Sequence, residues 1–170
     1  MPISFDAATR TFKLDTATST YMIRVYDEGY LLNLYYGAKI PDSYVPDREQ
    51  LTPNASFSAA NPVIGEHGFT PDTAPMEYGA FGAGDMRISA LMVRNEQGDS
   101  VTDIRYAGHK IYAGKPPIPG QPSTYTEQED DAATLELTTV DQVTGLKVTL
   151  YYTVFTKLGV MTRRVRAENG

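Results

Sequence analysis

Cysteine and tryptophan are absent from this chain of 170 residues, and histidine occurs only twice, at His67 and His109. Without cysteine the chain forms no disulfide bond, carries no thiolate metal ligand and has no cysteine nucleophile. The two histidines lie too far apart in the sequence for the usual spacing of a zinc site, so we expect no metal and no cofactor. A chain without cysteine suits a reducing compartment, and we expect the protein to be cytoplasmic.

Positive charge and long apolar runs are also scarce. The net charge is −6 at pH 7, and the basic cluster of Arg163, Arg164 and Arg166 is small and lies in a strand-like run. Nucleic-acid binding needs clustered Lys and Arg against the phosphates, so we expect no nucleic-acid partner. No run reaches the roughly 18 apolar residues of a membrane span, and the residues from Met1 to Asp6 do not resemble a signal peptide. We therefore expect no membrane partner.

The abundant residues favour β-structure. The chain has 12 tyrosines and 11 prolines, and 41% of its residues are hydrophobic, which suits strands joined by many turns. No segment has a convincing helical period. The length is sufficient for one domain with a core of its own, and we take 1–170 as a single domain.

Two regions show strand patterns most clearly. Alternating residues from Thr20 to Tyr26, the turn residues Asp27 to Gly29 and a second β-rich run from Tyr30 to Tyr36 together predict a hairpin. Near the C-terminus, every second residue of 146–154 is apolar, which predicts a strand with one buried face. That face consists of Leu146, Val148, Leu150, Tyr152 and Val154.

Further strands are predicted over Ile88 to Asn95, Val101 to Tyr112, Thr134 to Thr139 and Val160 to Arg166. Many short strands separated by turns indicate an all-β fold, an antiparallel β-sandwich. The pattern is lost between Ile40 and Gly84, where six of the 11 prolines fall, and we predict one long irregular loop there. Loops of this length are uncommon unless they have a function, so binding contacts are expected in it.

The charged side chains offer several candidate sites, each with a structural alternative. The acidic run from Glu127 to Asp131 is interpreted as a solvated loop. Asp85 follows a glycine-rich turn and is expected to accept backbone hydrogen bonds or to pair with Arg87, with a direct substrate role as the alternative. His109 is expected to pack in or on a strand. His67 lies in the long loop, where it is either a plain loop residue or a hydrogen-bonding partner of a ligand hydroxyl.

The most informative segment runs from Tyr78 to Arg87, with glycine at positions 79, 82 and 84, and Thr102 to Tyr106 follows at the start of another extended run. Around these two segments lie Phe57-Ser58, Phe69 to Thr73 and His109 to Tyr112. In this order and spacing the segments resemble the N-terminal domain of glycoside hydrolase family 36, the microbial alpha-galactosidases. The resemblance extends over nearly the whole chain.

The resemblance implies a supersandwich-like β-sandwich that precedes a catalytic (β/α)8 barrel in the same polypeptide. In that family the barrel hydrolyses terminal alpha-galactosides such as melibiose and raffinose with retention, and both its nucleophile and its acid/base are aspartates of the barrel. Neither motif occurs in this chain, so we assign no catalytic residue and expect the domain alone to be inactive. The alternative is a free-standing carbohydrate-binding β-sandwich module, which binds galactosides by itself through a line of exposed aromatic residues.

The resemblance also gives the long loop a role. Many members of the family are tetramers in which a loop of this domain reaches the active site of a neighbouring subunit. That loop usually carries an Asp-Arg pair shortly before the Phe-Ser match and an Arg two residues before the next matched Phe. The corresponding positions here are Asn54-Ala55 and His67, so the chain departs from the family pattern there. We predict that Asn54, Phe57 and His67 line the sugar site of a neighbouring subunit.

Overall fold

Two four-stranded antiparallel sheets make up the computed structural model, which describes residues 1–42 and 71–169. Each sheet is a meander in which consecutive strands are neighbours. The first sheet contains β1 (Ile3–Asp6), β2 (Thr11–Asp15), β3 (Ser19–Val25) and β4 (Leu31–Ala38). The second contains β5 (Ile104–Ala113), β6 (Ala133–Asp141), β7 (Lys147–Phe155) and β8 (Val160–Glu168). Within the described ranges the only helical element is a 3₁₀ turn at Glu129–Asp131, and no helix there is long and apolar enough to cross a membrane.

The inner faces of the two sheets share one core. Phe12 and Ile23 of the first sheet and Leu137 and Val148 of the second are fully buried in the same cluster. Because one cluster takes side chains from both sheets, the predicted antiparallel β-sandwich is confirmed. The face predicted for 146–154 is also confirmed, since all five of its side chains are buried. Burial of this kind contributes about 1.5–3 kcal/mol for each large aliphatic or aromatic side chain.

The opposite face of β7 differs from the prediction of a single buried face. Thr149, Tyr151 and Thr153 are buried as well. The reason is the central position of β7 between β6 and β8, whose side chains flank these residues on both sides. The guanidinium of Arg164, for example, lies 3.7 Å from the centre of the Tyr151 ring.

The predicted N-terminal hairpin is formed by β3 and β4. The N–H of Tyr26 donates to the carbonyl of Tyr30 at 2.8 Å and closes the turn. Gly29 has a φ of +86°, and a Cβ at this position would lie 3.4 Å from the Cβ of Arg105, so the turn favours glycine for two reasons. Strands β1 and β2 were not predicted, because four and five residues are too few for alternation to stand out.

The predicted strand over Ile88 to Asn95 is wrong. In this segment only Leu91 forms an isolated bridge, to Ala80. The neighbouring backbone belongs to a glycine-rich turn, and the carbonyl of Gly79 accepts from the N–H groups of both Ala90 and Leu91, so a regular ladder cannot extend. The alternation seen in the sequence reflects the packing of Leu91 and Val93 against the core. The following strand, β5, begins at Ile104 rather than at Val101. The N–H of Thr102 donates to the carbonyl of Phe81 in the same turn at 3.0 Å, and the N–H of Asp103 donates to the side chain of Asp141, so neither joins the ladder.

The long irregular connection predicted between Ile40 and Gly84 lies only partly within the described residues. Its described end, from Pro71 to Gly84, contains turns and isolated bridges and no strand. Together with 85–103 this segment crosses from β4 of the first sheet to β5 of the second. It therefore lies where it can contact both sheets.

Candidate functional site

The residues predicted to line a sugar site, Asn54, Phe57 and His67, lie outside the described residues, and their role stays a prediction. The described part of the chain instead has three polar arrangements on the crossover between the sheets and beside it. They involve Glu77, the Asp85–Arg87 pair and the Asp103–Arg105 pair.

Glu77 is the centre of a buried hydrogen-bond cluster between the two sheets. Its side chain is 1% exposed. The hydroxyl of Tyr21 in β3 donates to both carboxylate oxygens at 2.8 and 2.6 Å, and the hydroxyl of Tyr152 in β7 donates to Oε1 at 2.6 Å. The amide of Asn33 in β4 donates to Oε2 at 3.1 Å, and Arg163 in β8 donates to Oε1 at 2.6 Å. One carboxylate thus joins the crossover to four strands of both sheets.

The electrostatics of this cluster follow from burial and from the carboxylate charge. Burial, reinforced by the charge of Glu77, raises the pKa of the Tyr21 and Tyr152 hydroxyls, so both remain hydrogen-bond donors at neutral pH. Burial alone would lower the pKa of Arg163, but the charge of Glu77 and the contributions of Tyr152 and Tyr21 together outweigh it, so the pKa is raised. The Arg163 guanidinium also lies 5.1 Å from the centre of the Tyr152 ring, a cation–π distance. Since both carboxylate oxygens are occupied, the cluster serves structure rather than acid–base chemistry.

Sequence reasoning assigns no role to Glu77, which directly precedes the glycine-rich segment from Tyr78 to Arg87. One signal was present in β8. Arg163 pairs with Tyr152 in the register of β7 and β8, and Val165 pairs with Leu150, so Arg163 shares its side of the strand with apolar residues. A cation at a core-facing position requires a buried acid, but only the structure identifies that acid as Glu77.

The glycine-rich segment is shaped by close backbone approaches. A Cβ on Gly82 would lie 2.8 Å from the Cα of Val101, and the residue has a φ of +92°. A Cβ on Gly79 would lie 2.9 Å from Oδ2 of Asp85. A side chain at Gly82 would displace the backbone of Val101, and one at Gly79 would displace the carboxylate of Asp85, which explains why glycine occupies these two positions.

Asp85 pairs with Arg87, as the sequence predicted. Nε and Nη2 of Arg87 donate to the two carboxylate oxygens at 2.8 and 2.9 Å, and Nη2 also donates to the carbonyl of Pro71 at 2.8 Å. Burial would raise the pKa of Asp85, but the hydrogen bonds and charge of Arg87 outweigh it and lower the pKa. The pair therefore fixes the described end of the long loop to the glycine-rich turn.

The Thr102 to Tyr106 motif forms the third arrangement. Arg105 pairs with Asp103 through two hydrogen bonds of 2.8 and 2.7 Å, and its guanidinium lies 3.8 Å from the centre of the Tyr30 ring. Arg105 also donates to the carbonyl of Glu28 at 2.8 Å. These contacts join the start of β5 to the turn between β3 and β4.

The second histidine is a packing residue, as predicted. The ring of His109 lies 4.6 Å from that of Phe5 and 4.8 Å from that of Phe12, between the two sheets. Its Nδ1 is 2.6 Å from the hydroxyl of Tyr106. Burial lowers the pKa of His109, which favours the neutral ring.

Candidates for acid–base or metal chemistry are lacking in the described ranges. The two buried carboxylates there are Glu77, described above, and Asp141, which accepts hydrogen bonds from the N–H groups of Asp103, Val143 and Thr144. No group of three or more His, Asp or Glu side chains in 1–42 and 71–169 could hold a metal ion. In the predicted acidic run, Asp131 pairs with Lys157 at 3.0 Å, and the neighbouring Asp130 is exposed.

Comparison with known proteins identifies the family. Residues 29–170 match the glycosyl hydrolase family 36 N-terminal domain. The chain is 37% identical over 169 residues to the alpha-galactosidase AgaA of Geobacillus stearothermophilus. The alignment covers 99% of this chain and 23% of AgaA. The crystal structure of the family 36 alpha-galactosidase AgaB from the same organism superimposes with a TM-score of 0.89 at 38% identity, covering 99% of this chain and 22% of that one.

A second solved structure extends the comparison. It is a variant of AgaA in complex with raffinose, with a TM-score of 0.87 and 39% identity, and it covers 94% of this chain and 22% of that one. The chain thus spans less than a quarter of the length of these relatives. Since its own length is matched almost completely in both sequence and fold, the chain belongs to glycoside hydrolase family 36 as an N-terminal domain of that family.

Proposed function

We propose that this chain is the non-catalytic N-terminal domain of a retaining alpha-galactosidase that hydrolyses terminal alpha-galactosides. The observation that carries the proposal is the match along 99% of this chain to an alpha-galactosidase four times as long, of which it spans 23%. The catalytic (β/α)8 barrel lies in the remaining part, and the domain supports that barrel and the assembly of subunits.

The division of labour follows from the chemistry of the reaction. Retaining hydrolysis needs a nucleophile and an acid/base carboxylate about 5 to 5.5 Å apart on either side of the glycosidic bond. The buried carboxylates Glu77 and Asp141 have all of their described contacts inside the sandwich. The barrel aspartates supply the pair, and residues 1–170 contribute structure.

The domain also contributes to substrate binding through its long loop. We propose that Asn54, Phe57 and His67 lie at the sugar site of a neighbouring subunit in a tetramer. The match of residues 29–170 to the family's N-terminal domain supports this, because the matched range includes the loop that in the family reaches a neighbouring active site. A variant of the relative AgaA has been crystallised in complex with raffinose. We propose that this protein acts on the same class of substrate, terminal alpha-galactosides.

The experiment is a comparison of two proteins with a chromogenic alpha-galactoside and with raffinose. One is the full-length parent protein, made from the coding sequence that includes this domain, and the other is the 170-residue chain. We expect turnover by the parent and none by the chain. A parent without alpha-galactosidase activity, or a chain that turns over the substrate, contradicts the proposal.

The alternative, a free-standing galactoside-binding module, is distinguished by binding. Tyr36 and Tyr125 are exposed in the described part of the chain, and a binding module would use such rings for stacking. We expect no change in the NMR spectrum of the chain on addition of melibiose. Saturable shifts at these tyrosines favour the alternative. We also propose a cytoplasmic location, supported by the absence of cysteine, which fractionation of the source cells tests.

A further inference from the structure

An apolar face lies exposed on the crossover between the two sheets. It consists of Met86, Ile88 and Met92, whose exposed fractions are 87%, 103% and 65%. The segment that carries it belongs to neither sheet. Single exposed apolar residues are ordinary, but three within seven positions form a patch of the kind that marks an interaction surface. We call it the 86–92 apolar face.

The backbone behind this face is held in place. Leu91 and Val93 point inwards and pack against the core, whereas Ile88 and Met92 point outwards. The N–H of Phe81 donates to the carbonyl of Leu91 at 2.9 Å. The face is therefore fixed in shape before any partner arrives, which lowers the entropic cost of binding.

The charge next to the face is directed away from it. Arg87 lies between Met86 and Ile88, but its guanidinium is bound by both carboxylate oxygens of Asp85 and by the carbonyl of Pro71. The cation is thus neutralised within the domain. Met86, Ile88 and Met92 therefore project beside a paired cation, and Arg94 follows them as an exposed residue. The three apolar side chains suit an apolar protein surface with a polar rim rather than a charged ligand.

We propose that the 86–92 apolar face docks against an apolar surface of the polypeptide that follows this domain in the full-length protein. The inference rests on the proposed function, because it requires the larger enzyme. This chain spans only 23% of the relative AgaA, so most of such a protein lies outside residues 1–170. A tethered partner has a high effective concentration, so the following polypeptide covers the face in preference to a second copy from solution.

Hydroxyl-radical footprinting of the full-length parent tests this docking, with side-chain oxidation as the readout. The buried Met22 is the benchmark for a protected methionine, and Leu158, which is 74% exposed in the turn between β7 and β8, is the benchmark for an exposed aliphatic residue. We expect Met86 and Met92 to react as slowly as Met22, and Ile88 more slowly than Leu158. Reaction at the rates of exposed residues overturns the proposal. Protection that is lost on dilution to the monomer also overturns it, since the occupant is then a second copy.

A matched pair of variants provides a second readout in the full-length parent. Ile88→Asp places a charge in the proposed interface, and Leu158→Asp places the same charge on an exposed turn. We expect Ile88→Asp to lower the melting temperature and Leu158→Asp to leave it unchanged, and equal melting temperatures overturn the proposal. Neither readout uses enzymatic activity. A parent that is inactive but protects Met86 and Met92 refutes the proposed function and leaves the docking proposal intact. An active parent in which Met86 and Met92 are unprotected refutes the docking proposal and leaves the proposed function intact.

Discussion

Replacement of Glu77 by Gln tests the role of the buried cluster with a change of almost no volume. Four donor groups converge on the two oxygens of Glu77, from Tyr21, Asn33, Tyr152 and Arg163. Gln keeps one oxygen and replaces the other by an amide NH2, which is itself a donor. At least one of the four donors then faces another donor, and the positive charge of Arg163 loses its partner.

The magnitude follows from burial. Removing one partner of a buried ion pair costs about 3–5 kcal/mol. The side chain of Glu77 is 1% exposed, but that of Arg163 is 48% exposed, so water screens part of the charge left behind. We therefore expect a loss of about 3 kcal/mol in the free energy of unfolding, near the lower end of that range.

The assay is urea unfolding of the 170-residue chain, with Glu168→Gln as the matched control. Glu168 lies at the end of β8 and pairs with Arg166 at 2.8 Å, where its side chain is 34% exposed. The control makes the same chemical change in a solvated pair, for which we expect a loss of at most about 1 kcal/mol. If Glu77→Gln changes the unfolding free energy no more than Glu168→Gln does, the cluster does not join the sheets in the way argued above.

Three further changes have definite expected outcomes. Leu150→Ala should lower the free energy of unfolding by about 2–5 kcal/mol, and an unchanged urea midpoint would show that β7 buries its other face alone. Burial raises the pKa of Tyr21, Tyr30 (to about 12) and Tyr152 above the value of about 10 that tyrosine has in an unfolded chain. The unfolded chain therefore loses these protons first, and the free energy of unfolding should decrease as the pH rises above about 10. A urea midpoint that rises from pH 9 to 11 refutes this. His67→Ala in the full-length enzyme should weaken turnover of galactosides while changing the stability of the chain by at most about 0.5 kcal/mol; unchanged kinetics with an unfolded domain would make the loop structural.

The strands that could be predicted are those in which apolar and polar residues alternate because one face packs against the core, or those that a clear turn joins. Residues 146–154 alternate because β7 packs its inner face against the first sheet, and the β3–β4 hairpin is marked by its turn residues as well as by its strands. The short β1 and β2 also bury core side chains, such as Ile3, Phe12 and Leu14. Four and five residues, however, are too few for the alternation to stand out, so no local signal identified these strands.

The incorrect strand at 88–95 and the unpredicted role of Glu77 both arise from contacts that a local sequence pattern does not report. Alternation reports which side chains point inwards, but it does not report whether a neighbouring backbone offers a ladder. Gly79 accepts from both Ala90 and Leu91, which ends the ladder after one bridge. The contacts of Glu77 likewise join residues 56 and 86 positions away, at Tyr21 and Arg163, and local sequence carries no information on such distances.

The most direct test of the account is the activity of the parent enzyme without this domain. A protein that lacks residues 1–170 should be produced beside the full-length parent, and the hydrolysis of raffinose should be measured for each. If the domain supports the barrel and the sites between subunits, the shortened protein will lose most of the parent's turnover. Undiminished turnover of raffinose by the shortened protein would contradict the account.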